Sequence, residues 1–349
     1  MTRAVKCGPL VIGGGAKISV QSMTNTDTRD CEATGAQIAR LFESGCDLVR
    51  VSVFDEKCVP HLRKYQEDAP GPLSADIHFD ARLAVAAVEN GFAALRINPG
   101  NIGSESEVER VVDCCKAHGT PIRIGVNSGS LEKDILNAHG GVTAEGMVES
   151  ALRHVRILEK RGFEDIVISL KSTDLRTTVD AYRRMAKMCS YPLHVGMTEA
   201  GLPGEGSIRS AIGIGALLLD GIGDTIRVSL TGDPALEAPL GISILKALGL
   251  RGGFRLIACP TCGRTRLDTA AIAARVEEAF RDEKRDITVA VMGCVVNGPG
   301  EARGADVALC GGVDCGALYI GGEYREKLTG DVAEKFIARV RRFLDERDR

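Results

Sequence analysis

Short β-rich runs alternate with helical stretches from Ile18 to about Leu250, and this repetition limits the possible folds more than any other feature of the chain. Strand, helix, strand repeated eight times predicts an α/β fold, a parallel (β/α)8 TIM-like barrel over residues 1–250. The eight runs are 18–23, 48–53, 73–79, 94–98, 121–127, 165–171, 193–199 and 225–230. The helical stretches between them include 34–44, 81–90, 105–118, 144–161 and 175–189, and several end at a glycine, a common helix terminator.

Polar side chains that a buried strand does not need for packing lie in these runs or at their ends. In an eightfold barrel, the carboxyl ends of the strands and the loops after them form the active-site face. We therefore expect these side chains to meet in the mouth of the barrel. They are Arg50, Asp76, His78, Arg96, Asn98, Arg123, Asn127, Lys171, Glu199, Arg227 and Ser229.

Five of these residues are cations: Arg50, Arg96, Arg123, Lys171 and Arg227. In one mouth they would repel one another unless an anion held them together, and the arginine fork suits phosphate. A neighbouring carboxylate such as Asp47, Asp76 or Glu199 is an equally good explanation for any single arginine, because buried charges are normally paired. It is a weak explanation for all five, so the pattern predicts an anionic, phosphorylated small-molecule substrate. For His78 a structural and a functional role both stay open.

The character of the chain changes after Leu250, where a Gly-Gly pair indicates a linker. Residues 254–349 are expected to form a compact α+β domain of ordinary independent size. Its predicted strands are 254–258, 287–292 and one near 317–320, and its predicted helices are 268–281 and 331–347.

Two thiols at C-x2-C spacing, Cys259 and Cys262, follow the first of these strands, and Cys294 follows the second. Together with Glu301 they form a candidate site for a soft metal centre, and the Gly-Pro-Gly turn at 298–300 can aim Cys294 and Glu301 at one place. Three thiolates and one displaceable carboxylate would leave one metal position open to a substrate. Cys310 and Cys315 lie close enough in sequence to supply a fourth thiol. The spacing alone therefore leaves an iron–sulfur cluster and a structural zinc site open.

The composition argues against several other classes of protein. The formal net charge is −3 and the chain has no block of Lys or Arg, which argues against a nucleic-acid surface. Twelve Cys without a small-domain disulfide framework indicate a reducing compartment. No apolar run approaches the ~20 residues that cross a bilayer, so no membrane partner is expected. Residues 1–16 are interpreted as a hairpin that leads into the fold. The protein is expected to be cytoplasmic.

The motifs resemble those of the bacterial 4-hydroxy-3-methylbut-2-enyl-diphosphate synthase family, the iron–sulfur enzymes of the non-mevalonate pathway of isoprenoid biosynthesis. The resemblance runs essentially the full length of the chain. Its most specific parts are ACPTCGR at 258–264 and VMGCVVNGPGEA at 291–302. Supporting matches are VQSMTN at 20–25, DIHF at 76–79, RINPG at 96–100 and TEAG at 198–201.

The resemblance implies a 4Fe-4S cluster held by Cys259, Cys262, Cys294 and Glu301, with one iron open to the substrate when Glu301 is displaced. It further implies a C-terminal domain similar to the sulfite and nitrite reductase fold. Family members form head-to-tail homodimers, so the cluster domain of one subunit would cover the barrel mouth of its partner. Cys310 and Cys315 lie outside the ligand pattern of the family.

The resemblance also implies an oxidoreductase that acts on 2-C-methyl-D-erythritol 2,4-cyclodiphosphate. Two electrons, delivered by flavodoxin or ferredoxin, and one proton open the ring and expel a hydroxyl as water. Glu199 is the implied proton donor, which makes Glu199 and Glu301 the candidate catalytic residues. The implied substrate-binding residues are Arg50, Asp76, His78, Arg96, Asn98, Arg123, Asn127, Lys171, Arg227 and Ser229.

Two other hypotheses explain part of the pattern. One is a phosphate-binding barrel that catalyses transfer or isomerisation and carries a structural zinc. The other makes the C-terminal part a zinc-dependent interaction domain. Metal content separates both from the iron–sulfur enzyme, because they predict zinc where the enzyme requires iron and sulfide.

Overall fold

A computed structural model describes residues 1–313 and 315–348 of the chain. The chain divides into two compact units, Met1–Leu250 and Arg251–Arg349. The first unit is described completely.

The chain begins with the hairpin that the sequence predicts. Strands β1 (Val5–Cys7) and β2 (Leu10–Ile12) pair in antiparallel register. Val5, Cys7 and Ile12 are buried with Leu48, Ala94 and Val167, which lie at or near the amino ends of barrel strands. The hairpin therefore closes the amino end of the barrel with apolar side chains.

The next strands form the predicted parallel barrel. Within residues 1–250 the eight barrel strands are ordered β8-β7-β6-β5-β4-β3-β10-β9. A parallel bridge between Ile168 and Leu193 joins the two ends of this sheet and nearly closes it. The strands are β3 (Ser19–Met23), β4 (Leu48–Ser52), β5 (Leu73–Asp76), β6 (Ala94–Ile97), β7 (Ile122–Asn127), β8 (Ile166–Lys171), β9 (His194–Val195) and β10 (Thr225–Ile226).

In the fully described first unit nine helices surround the barrel, and five of them begin at a polar residue whose side chain caps the first turn. Ser104 and Glu107 form a capping box at the start of α4, and Gly119 ends that helix in the left-handed conformation, at φ 63°. The helices are α1 (Cys31–Glu43), α2 (Val59–Asp68), α3 (Ala81–Glu89), α4 (Glu105–His118), α5 (Lys133–His139), α6 (Ala144–Glu159), α7 (Leu175–Met188), α8 (Pro203–Leu219) and α9 (Glu237–Ala247).

Alternation along the strands separates the core from the lumen. Val49, Val51, Ile122 and Ile124 belong to the large apolar cluster that extends into the surrounding helices. Their neighbours point the other way, because successive side chains of a strand face opposite sides. The lumen is therefore lined by polar and charged side chains, and most of these are buried. They include Arg50, Ser74, Asp76, Arg96, Arg123, Ser169, Lys171, His194 and Thr225.

The last two barrel strands are much shorter than the sequence predicts. The runs 193–199 and 225–230 contain strands of two residues each, His194–Val195 and Thr225–Ile226. A Cβ on Gly196 would lie 2.3 Å from the carbonyl oxygen of Arg227, so the two backbones approach too closely for another residue. Thr198, Glu199 and Ser229 consequently lie in loops.

The second unit is an α+β domain with a mixed sheet, as predicted. Among its described residues the sheet has five strands in chain order, parallel from β11 to β13 and antiparallel from β13 to β15. Strands β13 and β15 were not predicted. The strands are β11 (Phe254–Ala258), β12 (Ile287–Met292), β13 (Val307–Gly312), β14 (Cys315–Ile320) and β15 (Glu323–Thr329), and the helices are α10 (Thr269–Ala279), α11 (Gly298–Glu301) and α12 (Val332–Arg347).

The sheet of the second unit separates two apolar clusters. Val276 on α10 and Phe336 on α12 pack with Val289, Val307 and other strand residues in the larger cluster. The smaller cluster consists mostly of small side chains and contains Ala290, Met292, Ala302, Ala305, Ala308 and Cys310. The predicted likeness of this domain to the sulfite and nitrite reductase fold stays a prediction.

The part of the chain that the structure describes contains no helix with the length and apolar character that crossing a bilayer requires.

Candidate active site

The barrel mouth contains a cavity of about 120 Å³ that brings together most of the predicted substrate-binding residues. Asn98 and Glu199 are not among the residues that line it, whereas Ser169 and Thr198 line it without having been predicted. The lining residues are Arg50, Asp76, His78, Arg96, Arg123, Asn127, Ser169, Lys171, Thr198, Arg227 and Ser229.

Asp76, the last residue of β5, is paired with two of the cations. Its carboxylate lies 3.2 Å from Nη1 of Arg96 and 3.6 Å from Nε of Arg50. Burial alone would raise the pKa of Asp76, but Arg50, the hydrogen bond to His78 and Arg96 hold that pKa well below its ordinary value. Asp76 is therefore an anion that keeps two guanidinium groups in place.

His78 lies at the rim of the cavity, with about half of its side chain exposed. Its Nε2 is 3.1 Å from Nη1 of Arg96 and 3.6 Å from the carboxylate of Asp76. The Phe79 ring lies next to the imidazole at 5.8 Å between centroids. An exposed imidazole beside a fixed ion pair is available to a ligand that enters the mouth.

Arg227 has a carboxylate partner that the sequence analysis missed. Nε of Arg227 lies 3.2 Å from Glu237, the first residue of α9. Glu237 is buried and also accepts hydrogen bonds from the Ser22 hydroxyl at 2.7 Å and from the Leu230 backbone at 3.1 Å. In the sequence Glu237 resembles an ordinary acidic residue in the first turn of a helix, so no pattern distinguished it.

Met23 is a second partner of these arginines that the sequence did not predict. Its sulfur accepts hydrogen bonds from Arg50 at 2.9 and 3.1 Å and from Arg227 at 3.7 Å. Thioether sulfur is a weak acceptor. Met23 thus separates two guanidinium groups without neutralising either.

Arg123 and Lys171 differ from the other three cations, because neither has a carboxylate partner among the described residues. Nη2 of Arg123 is buried without a hydrogen-bond partner in the described chain. Burial, followed by the neighbouring cations, lowers the pKa of both side chains well below the ordinary values. In the described residues five cations thus face two carboxylates, Asp76 and Glu237, and this excess of positive charge suits an anionic ligand.

The remaining predicted residues lie around the cavity. Asn98 follows β6 and its side-chain oxygen accepts a hydrogen bond from the Gly125 backbone at 3.0 Å, which gives it a structural contact. Glu199 is exposed and is the only non-glycine residue of the described chain with positive φ, at 51°. Such a conformation is unfavourable for a residue with a Cβ, and strain of this kind is often found at functional sites.

The predicted thiols lie in two turns of the second unit. Cys259 follows β11 and Cys294 follows β12, and these strands are parallel neighbours, so both turns leave the same edge of the sheet. The Gly293 backbone donates a hydrogen bond to Sγ of Cys259 at 3.0 Å. A Cβ on Gly293 would lie 2.7 Å from the Thr269 hydroxyl, so the turn packs closely on α10.

The environment of two thiols favours their thiolate forms. Hydrogen bonds from the Arg264 backbone and side chain lower the pKa of Cys262, and backbone hydrogen bonds at Asn297 and Val296 lower the pKa of Cys294. Thiolates are the form that binds soft metals. The donors present therefore fit a cluster that is held by thiolates.

Glu301 ends the short helix α11 and is exposed. Its carboxylate makes no hydrogen bond or ion pair with any residue that the structure describes. Cys310 is buried on β13, where burial, followed by the charges of Cys294 and Cys259, raises its pKa to about 12. Cys315 lies on β14, with its sulfur against Gly312.

No group of three or more His, Cys, Asp or Glu in residues 1–313 and 315–348 is arranged to hold a metal ion. The assignment of Cys259, Cys262, Cys294 and Glu301 as ligands therefore stays a prediction. It is supported by the donor chemistry and by the shared end of the sheet from which the two thiol turns leave.

Comparison with protein families matches both parts of the chain. The GcpE TIM-barrel domain matches residues 2–242, and the C-terminal domain of the GcpE protein matches residues 255–342.

Individual relatives match nearly the whole chain. The chain is 53% identical to a protein of Clostridium perfringens named 4-hydroxy-3-methylbut-2-en-1-yl diphosphate synthase (flavodoxin), over 96% of this chain and 97% of that protein. A protein of Caldanaerobacter subterraneus with the same name is 52% identical, over 99% of this chain and 98% of its own length. A solved dihydropteroate synthase of Yersinia pestis superposes with a TM-score of 0.52 at 12% identity, covering 71% of this chain and 98% of that one. This last likeness concerns the fold alone.

Proposed function

This chain belongs to the GcpE family, and we propose that it converts 2-C-methyl-D-erythritol 2,4-cyclodiphosphate to 4-hydroxy-3-methylbut-2-enyl diphosphate in isoprenoid biosynthesis. The observation that carries the proposal is the match of both family domains, together with relatives named as synthases along almost the entire chain. The reaction is a reduction: two electrons and one proton open the cyclic diphosphate and release one hydroxyl as water. Flavodoxin, which the names of the relatives contain, is the electron donor.

The barrel mouth binds the diphosphate. Arg123 and Lys171 carry charges that no carboxylate of the described residues neutralises, and a diphosphate entering the cavity would supply the missing negative charge. As the ring opens, negative charge grows on the diphosphate, and fixed cations stabilise that charge more than they stabilise the closed ring.

The other three cations, which also bind the diphosphate, are held in place by carboxylates of the protein. Asp76 holds Arg50 and Arg96, and Glu237 holds Arg227. Because these partners fix the guanidinium groups in advance, little reorganisation is needed when the substrate binds.

Glu199 donates the proton to the departing hydroxyl. It follows Thr198, which lines the cavity, and its strained backbone is consistent with a loop that is shaped for function. A carboxylic acid within reach of the departing hydroxyl can deliver the proton that turns it into water.

The thiols of Cys259, Cys262 and Cys294, with the carboxylate of Glu301, hold a 4Fe-4S cluster. When bound, the cluster supplies the two electrons of the reduction one at a time. The lowered pKa values of Cys262 and Cys294 support thiolate ligation. A carboxylate is a weaker ligand than a thiolate for a soft metal, so Glu301 is the ligand that can exchange.

The active site is formed between two subunits of a head-to-tail homodimer, as the family resemblance implies. Mixing Lys171→Met subunits, which bind the substrate weakly, with Cys294→Ala subunits, which lack a cluster ligand, tests this arrangement at a substrate concentration below the wild-type KM. Random exchange between symmetric dimers should restore about a quarter of the wild-type activity, because one of the two sites in each mixed dimer is intact. Mixtures as inactive as the two separate variants would contradict a shared site.

Anaerobic purification tests the cluster and the reaction together. The protein should contain about four irons and four sulfides per chain, and it should convert the cyclodiphosphate when reduced flavodoxin is supplied. Stoichiometric zinc without visible absorbance would instead favour the phosphate-binding transferase or isomerase considered above. A complete cluster without product formation would contradict the substrate.

A further inference from the structure

The lumen of the barrel contains, besides the cavity at its mouth, buried polar atoms that lack hydrogen-bond partners among the described residues. The four atoms are Oγ of Ser19, Oε1 of Gln21, Nη2 of Arg123 and Nε2 of His194, and none of them has a hydrogen-bond partner in the described chain. They belong to β3, β7 and β9, whose inward side chains face one lumen. Buried polar groups are normally satisfied by protein or by ordered water, so this group requires an explanation.

His194 lies in the same layer as Ser19. The register pairs Thr225 with both residues, and Nδ1 of His194 is 3.4 Å from the Thr225 hydroxyl. The imidazole is 1% exposed, so bulk water does not reach it. Since Nδ1 faces the hydroxyl, Nε2 is the ring atom left for the centre of the barrel.

His194 is neutral at physiological pH. Its pKa is lowered well below the ordinary value, first by burial and then by the positive charges of Arg123 and Lys171. A neutral imidazole has one donor and one acceptor nitrogen, and nearby cations favour the form whose lone pair points toward them. Nε2 is therefore an acceptor in the lumen that also contains Arg123, a cationic donor whose Nη2 lacks a partner among the described residues.

We propose that Nε2 of His194 accepts a hydrogen bond, relayed by a buried water molecule, from Nη2 of Arg123, and that His194 is thereby a positioning residue for this guanidinium. A water is required because the two atoms do not bond directly in the structure. A buried water needs two to four polar partners, and Gln21 and Ser19 offer two more unsatisfied atoms in the same lumen.

The arrangement explains how Arg123 is held without a carboxylate. Asp76 and Glu237 orient the other three arginines by ion pairing, which also reduces their net charge. A neutral acceptor orients Arg123 while leaving its full charge for the ligand. The inference rests on the proposed function, since it assigns His194 to the binding of the diphosphate.

Titration of the full-length protein with inorganic pyrophosphate tests the inference, with the KM of the cyclodiphosphate as a second readout. His194→Leu removes the acceptor and should weaken pyrophosphate binding and raise KM about tenfold, the effect of one hydrogen bond to a charged group. His194→Gln places an amide oxygen near Nε2 and should stay within about threefold of wild type. His118→Leu, at the exposed end of α4, is the control and should leave both values unchanged.

A double-mutant cycle separates positioning from a general packing effect. In an Arg123→Met background, His194→Leu should cause no further loss of pyrophosphate binding. Equal losses in both backgrounds, or equal losses in His194→Leu and His194→Gln, would overturn the proposal. If His194→Leu does not fold, His194→Met takes its place in the same cycle.

Wild-type protein that binds neither pyrophosphate nor the cyclodiphosphate would contradict the proposed function itself. If the wild type binds both ligands and His194→Leu binds them equally well, only the role of His194 is contradicted. The two failures are thus distinguishable.

Discussion

Two regions are built in opposite ways: the cavity in the barrel mouth, here called the pocket, and the two turns that carry Cys259 and Cys294, here called the thiol turns. The pocket takes one or two side chains from each of many strands and buries them, with two carboxylates compensating part of the charge. The thiol turns follow two neighbouring strands and are largely exposed, and backbone N–H groups contribute more than the charge of Arg264 to stabilising the Cys294 thiolate. Substitutions in the pocket should therefore change folding and binding together, whereas substitutions in the turns should change activity alone.

The largest expected effect tests the separation of the two regions. Cys294→Ala should abolish the reductive activity, because it removes a thiolate ligand of the cluster, and the iron content should fall with it. The barrel should still unfold cooperatively at the same urea concentration, since its core contains no residue of the second unit. Loss of cooperative barrel unfolding in this variant would contradict the independence of the two units.

Asp76→Asn tests the paired part of the pocket. Removing the charge leaves Arg50 and Arg96 buried without their anion, which should lower the free energy of unfolding at pH 7 by about 3 kcal/mol. The pKa of Asp76 is lower in the folded than in the unfolded state, where it is about 3.9. The contribution is therefore complete above that pH and is lost as the pH falls toward the lower folded value.

Urea unfolding at a series of pH values checks the Asp76 prediction. The stability difference between wild type and Asp76→Asn should shrink as the pH falls below about 4. A difference that grows on acidification would mean that the carboxyl group is not a stabilising anion in the folded protein.

Lys171→Met tests the unpaired part of the pocket, and its two effects should have opposite signs. Binding of the cyclodiphosphate should weaken by about 10- to 100-fold, because a charge-assisted contact is lost. The free protein should gain stability in urea, because burial and the neighbouring cations disfavour the lysine charge in the fold. A destabilised variant would indicate that Lys171 has a stabilising role in the empty pocket.

A small effect on stability is expected at Glu199. Glu199→Gly should stabilise the protein by about 1 kcal/mol, because glycine adopts positive φ without the penalty of a Cβ. Turnover should nevertheless fall sharply, while KM for the cyclodiphosphate changes little. Glu199→Ala is the matched variant, since it removes the carboxyl group without relieving the backbone. Full turnover in either variant would exclude Glu199 as the proton donor.

Periodicity and local spacing explain what could be predicted from the sequence. The β-rich runs predicted all eight barrel strands, and helix-ending glycines such as Gly119 marked helix ends. Strand β13 escaped prediction because it contains Gly311 and Gly312, and glycine is uncommon in strands. The cavity also contains nine of the ten residues predicted to bind the substrate, with Asn98 outside it.

The pairing of the charges could not be predicted in the same way. Asp76 was named as one of several possible partners, but Glu237 was not, although it is only ten residues from Arg227. Which carboxylate a cation meets depends on the stagger of the strands and on where a helix returns to the barrel. A sequence pattern does not contain that information.

The sequence by itself determined the barrel, the hairpin before it, the α+β character of the second unit and the spacing of its thiols, because these depend on alternation and on neighbours along the chain. Only the tertiary structure decided that Arg123 and Lys171 have no carboxylate partner within residues 1–313 and 315–348, and that His194 is buried in the same lumen. The physical reason is that the energy of a buried charge is set by everything around it, and in a barrel those surroundings come from strands that are distant in sequence.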